Sequence, residues 1–141
     1  VSDLFDEERE QLDQLASRFL QALELRRRER HDDAEDVLRD LLKTEPRLPE
    51  PRMELARILL DSDRLGEAEA EAREALTHLE AGGPWTDDLP DNVVRALAHG
   101  LLAEILRRRA DEDQVIFGDP ALFAALLKES KQHFAAAADL D

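Results

Sequence analysis

Apolar residues recur along this chain at helical spacing, in blocks separated by short polar or Gly/Pro-rich stretches. Over residues 2–30 the stripe is Leu12, Leu15, Ala16, Phe19 and Leu23, widened by Leu20. Ser2 or Asp3 is placed to cap that helix, and Asp6, Glu7 and Glu8 suit the positive end of its dipole. A second helix over 33–44, with His31-Asp32-Asp33 as the turn and cap before it, carries Ala34, Val37, Leu38, Leu41 and Leu42 on one face. Pro46, Pro49 and Pro51 are expected to end it in a short extended connection. A third helix over about 50–62 turns Met53, Ala56, Leu59 and Leu60 inward. A fourth over 67–80 turns in Ala68, Ala72, Ala75, Leu76 and Leu79. Residues 81–90, with two glycines, two prolines and Trp85, read as a loop. A fifth helix runs from Asp91 or Asn92 to about 110. Residues 111–119 form a second loop, and Pro120 opens a sixth helix that continues to the end. The pattern predicts three helical hairpins in a row.

The first two hairpins superpose. Ala22 is followed by Leu25, Ala34, Leu38 and Leu41-Leu42 at offsets of three, twelve, sixteen, nineteen and twenty. Ala56 is followed at the same offsets by Leu59, Ala68, Ala72 and Ala75-Leu76, and the frames lie 34 residues apart. Small residues at helix crossings with that period resemble the tetratricopeptide repeat, with Leu55-Ala56 and Leu59 at the Leu-Gly and Tyr positions and Pro46 at the closing Pro. The chain departs from the family where Arg52 replaces the first-helix aromatic, and where Leu38 and Ala72 replace the second-helix one. The third hairpin fits only with insertions. From Ala103 and Leu106 the later positions fall on Ser130, Phe134 and Ala137, each displaced by 15 residues, and a register on Ala98 and Leu101 competes with that one. The resemblance implies an all-α, right-handed superhelix of antiparallel helix pairs, a solenoid of about six helices forming one domain over 1–141. Its repeats would span about 15–48, 49–82 and a degenerate 91–141. The chain opens on Val, and Ala135–Ala138 would end the array without a polar cap. A segment cut from a longer protein is therefore expected.

Composition agrees with helices: 4% of residues are aromatic, Tyr is absent, and Gly and Pro number 5 and 6. The net charge of −15, from 19 basic and 34 acidic residues, repels nucleic acid and anionic bilayers alike. No apolar run reaches the roughly 18 residues of a membrane span, and the acidic start is unlike a signal peptide. The expected home is the cytoplasm, with the periplasm left open. Sixteen Arg against 3 Lys suggests a GC-rich bacterial genome. The absence of Cys removes disulfides, thiolate metal sites and cysteine nucleophiles.

Local sequence offers little chemistry. His31, His78, His99 and His133 stand singly, with no helical metal-ligand spacing among them. Acidic pairs such as Asp87-Asp88 sit in turns and lack the ligand alternation of a Ca²⁺ loop. Gly82-Gly83 lacks the Lys and Ser/Thr of a phosphate loop. No catalytic residue, metal or cofactor is expected, and the chain reads as a non-enzymatic module. The resemblance places Phe19, Leu23, Arg26, Arg27, Met53, Arg57, Leu60, Glu104, Arg107 and Arg108 on the inner surface. The family's carboxylate-clamp variants carry Lys and Asn where Phe19 and Leu23 stand, so that mode does not transfer. An Arg/apolar lining suits a protein or peptide with acidic groups beside an apolar anchor. The same arginines also close helices and pair with nearby acids, which a purely structural role would equally require. Trp85 either packs onto helices four and five or serves as an exposed anchor, and Val115-Ile116-Phe117 poses the same choice. A second reading is self-assembly, with the repeats stacking on further repeats or on copies and the groove left empty.

Overall fold

The computed structural model describes residues 2–140, with side chains from residue 5 onward. Its described residues form helices and no strand, and the chain divides into two compact units, residues 1–46 and 47–141. None of the helices is long and apolar enough to cross a membrane.

Unit 1 is a hairpin of α1 (Ser2–Arg27) and α2 (His31–Thr44). Leu15 and Ala22 form the buried side of α1, and Ala34, Leu38, Leu41 and Leu42 that of α2. The cap expected from Ser2 or Asp3 lies outside the described side chains. Asp32 and Asp33 do not cap α2: they lie in its first turn, and the helix starts two residues earlier than expected, at His31. The reason is the turn before it. Glu29 takes a left-handed conformation, φ 61°. Its N–H donates to the Arg26 carbonyl (2.9 Å), and the Arg30 N–H donates to the Leu25 carbonyl (2.9 Å). These two bonds close a Schellman turn. The Arg30 carbonyl then accepts from Ala34 N–H (3.0 Å), so one residue ends the first helix and opens the second.

Unit 2 opens with a hairpin built the same way, α3 (Pro49–Asp61) and α4 (Leu65–Gly82). Asp63 is left-handed at φ 60°, and Arg64 N–H donates to the Leu59 carbonyl at 2.9 Å. Each of these features lies 34 residues after its counterpart in unit 1. So do two ion pairs: Arg64–Glu67 repeats Arg30–Asp33, and Arg73–Glu69 repeats Arg39–Glu35. At the vacant aromatic position Arg52 donates to Glu71 at 2.6 Å, and Arg18, 34 residues earlier, pairs with Asp40 at 3.1 Å. A cross-helix ion pair thus stands in both hairpins where the family packs a ring. Pro49 and Pro51 correct the expected extended connection. They lie inside α3 and are buried, which the helix tolerates because the N–H groups of a first turn have no intrahelical acceptor.

α5 (Asp91–Ala110) packs against α4 and against the last helix, α7 (Pro120–Leu140). It buries residues on more than one face, Val94 and Ile105 on one side and Ala96 and Ala103 on the other among them, because it is covered from more than one side. Ala103 is fully buried, and the buried Ser130 hydroxyl of α7 donates to its carbonyl at 2.7 Å. The segment between them is more ordered than a loop: α6 (Asp113–Ile116) makes a single turn and buries Val115. Gly118 follows, and a Cβ there would meet the Gln114 carbonyl oxygen at 2.7 Å, so this turn admits glycine alone.

A non-glycine residue in the left-handed region carries a steric cost of about 1–2 kcal/mol. Glu29→Gly and Asp63→Gly should therefore each raise stability by about 0.5–1 kcal/mol, after the added entropy of the unfolded chain is subtracted. The check is the urea midpoint at unchanged slope. A lower midpoint would mean that the two carboxylates contribute more than the backbone strain costs.

Candidate partner-binding site

On α1 the core-facing side is already filled by Leu15 and Ala22, yet apolar residues continue around the helix. Phe19 and Leu23 are half-buried, while Leu12 and Leu20 keep 52% and 66% of their surface exposed. Arg26, half-buried, and Arg27, exposed, finish the stripe at the C-terminal end. Arg27 grips Glu24 with two hydrogen bonds (2.6 and 2.9 Å), and Arg28 adds a third at 3.0 Å. The Arg27 hydrogen bonds, opposed by desolvation and helped by Arg28, pull the Glu24 carboxyl down to about 2. Near its other end α1 borders a notch of about 580 Å³, lined by Leu12, Leu15, Arg18 and Thr44 among others.

The other residues expected on the inner surface lie in unit 2 and are engaged there. Met53 and Leu60 are buried in its core, so they offer a partner no surface. Arg57 lies 3.7 Å from Glu54 on its own helix. Arg107 binds Glu104 at 2.8 Å, and Arg108 donates to the Leu60 carbonyl at 3.2 Å. That carbonyl belongs to the last turn of α3, the negative end of the helix dipole, so Arg108 caps α3 from α5. Arg95 does the same for α4 through the Leu79 carbonyl, at 3.0 Å.

Trp85 is half-buried, and its segment is pinned to α3. Glu50, at the start of α3, accepts from the Trp85 N–H (2.8 Å), the Thr86 N–H (2.6 Å) and the Thr86 hydroxyl (2.8 Å). A carboxylate there also meets the positive end of the α3 dipole. Nothing in the local sequence pairs residues 35 and 36 positions apart, so pattern reading misses this clamp. Ile116 and Phe117 are exposed, Phe117 to 83%.

One polar chain crosses unit 2. Arg73 on α4 donates to both oxygens of Glu129 on α7 (2.7 and 2.9 Å) and to Glu69 (2.9 Å). Glu69 also accepts from Arg109 of α5 at 2.5 Å. Glu129 lies 3.3 Å from His133, whose Nδ1 sits 2.9 Å from Nδ1 of His99 on α5. Hydrogen bonds from Arg73, opposed by burial and helped by His133, hold Glu129 below the usual carboxylate range. The two histidines are 34 residues apart, so they read as isolated in the sequence and meet only through helix packing. Among the described residues no group of three or more His, Asp or Glu side chains is arranged to hold a metal ion.

Glu50→Ala should release the Trp85 segment, shift the emission of this only tryptophan to the red and cost about 1–2 kcal/mol. An unshifted spectrum would show that Trp85 is held by its ring contacts alone.

The comparisons with known proteins agree with this geometry. The family model described as tetratricopeptide repeat matches residues 25–105, from the last turn of α1 to near the end of α5. Neither curated proteins nor solved structures give a match. Repeats of this kind generally mediate protein–protein interaction or scaffolding, and they are typically not enzymes. With the match covering more than half of its length, and with turns and ion pairs repeating at the same 34-residue interval, the chain belongs to the tetratricopeptide repeat family.

Proposed function

We propose that this chain is a non-enzymatic protein-interaction module that seats a partner polypeptide along α1 of unit 1. The observation that supports the reading is the second apolar face of α1. Leu12 and Leu20 are exposed and Phe19 and Leu23 half-exposed, on a helix whose packing side is already complete. Exposed apolar side chains in a contiguous row are costly in water and are the usual mark of a contact surface. Arg26 and Arg27 close the row, so the fitting partner carries an apolar anchor followed by acidic groups. The Arg27–Glu24 pair does not oppose this, because an exposed ion pair is worth little and a partner carboxylate can replace Glu24 at small cost.

Selection of peptides from a display library on the intact chain tests it. The wild type should enrich peptides with a large apolar residue beside Asp or Glu. Leu20→Glu with Leu23→Glu should lose that enrichment at least tenfold, with the helical content unchanged. Arg26→Glu with Arg27→Glu should shift the preference to basic flanks. Enrichment that survives the Leu20/Leu23 change would end the proposal.

Self-assembly is the second reading, supported by the exposure of Phe117 and Phe134 on unit 2. It predicts a concentration-dependent sedimentation coefficient that Phe117→Ser abolishes, and a monomer at every concentration removes it.

A further inference from the structure

The His99–His133 contact is the least ordinary feature of unit 2. The rings meet edge to edge, with centroids 5.2 Å apart and planes 26° from parallel, and their Nδ1 atoms approach to 2.9 Å. Both rings are largely shielded from solvent where α5 packs on α7, the most extensive helix contact in the unit. An imidazole nitrogen either donates or accepts, so the contact holds only while one of the two Nδ1 atoms is unprotonated. With both rings neutral, His99 Nδ1–H donates to His133, and His133 Nε2–H donates to Glu129. One added proton is also accommodated, because one of the two Nδ1 atoms can still accept from the other. A second proton leaves two cationic rings with N–H groups facing each other, and no arrangement of tautomers repairs that.

The charged groups around the pair come from each packed helix. α4 brings Glu80 and Arg73, α5 brings Arg95, and α7 brings Glu129. Arg73 already holds both Glu129 oxygens, so that carboxylate is shared rather than free to offset a second cation. We infer that the His99–His133 pair is a proton-operated latch: it fastens α7 to α5 near neutral pH and loosens when both rings are charged in mild acid.

The direction follows from linkage. Burial holds His99 below an ordinary imidazole, charge on His133 and Arg95 adds to this, and Glu80 opposes it. Released from the packed helices, the ring would take its proton near pH 6.5. The undocked form therefore binds the second proton first, and docking is lost as pH falls through about 6.5 toward the docked value. Between pH 7.5 and 5.5 the docking equilibrium can weaken by at most about tenfold through this one proton.

Hydrogen exchange on the intact chain, corrected for the intrinsic pH dependence, reads the latch directly. The protection of α7 amides relative to those of α3 should fall several-fold between pH 7.5 and 5.5. In His99→Gln the amide keeps a partner for His133 but takes no proton, and the relative protection should change by less than about twofold. A wild-type ratio that does not move, or a His99→Gln ratio that falls as far as the wild type's, overturns the latch. If the variant does not fold, imidazole NMR of the wild type decides. Stepwise protonation, with the second proton delayed below the ordinary range, supports the coupled pair. Two independent titrations near pH 6.5 overturn it.

Discussion

Close approach of two helices is possible only where neither brings a large side chain to the crossing, and this constraint orders everything else in the chain. Ala22 with Ala34, and Ala56 with Ala68, fill the interior of the first two hairpins with almost no exposed surface. Leu38, Leu41, Leu59 and Leu79 can then pack on either side of the crossing. At the third crossing the buried partner of Ala103 is Ser130, whose hydroxyl is accommodated by bonding the Ala103 carbonyl. Fixing the crossing also fixes what points outward. With the packing side of α1 used up by Leu15 and Ala22, the stripe from Leu12 to Leu23 has no place in the hairpin and faces outward.

Arginine carries much of the bonding between helices here, and Arg52 does so where the family has an aromatic ring. Arg52 reaches Glu71 across a hairpin, Arg73 joins α4 to α7, Arg108 caps α3 and Arg95 caps α4. The planar guanidinium suits this, because one side chain can bond two groups on different helices at fixed angles. The acidic excess of the chain is thus partly engaged in specific pairs, and a count of net charge describes little of the local field.

Much of the fold was legible because the crossing residues repeat at a fixed interval and burial acts on each alike. The turns between helices were harder to read. Glycine normally announces a left-handed residue, and here Glu29 and Asp63 fill that role, so the signal lay in backbone geometry and not in residue type. Pro49 and Pro51 misled in the other direction, since a first turn welcomes the residue that an inner turn rejects. The residues expected to bind divide by helix. Phe19, Leu23 and Arg26 are half-buried on α1 and Arg27 is exposed there. Met53 and Leu60 were drawn into the core of unit 2, because α3 is covered there by more than one helix. The histidine pair and the Glu50 clamp were invisible, as both join residues that only tertiary packing brings together.

The Glu50 clamp has a further bearing on how this chain can vary. It grips the segment after α4 at Trp85 and Thr86, whereas Asp87, Asp88 and Leu89 just beyond are exposed. Extra residues inserted upstream of the clamp would have to be absorbed against the start of α3. Downstream they would bulge into solvent at the modest cost of a longer loop. Length differences among descendants of this sequence should accordingly gather between 87 and 90, leaving the register of α3 and α4 untouched.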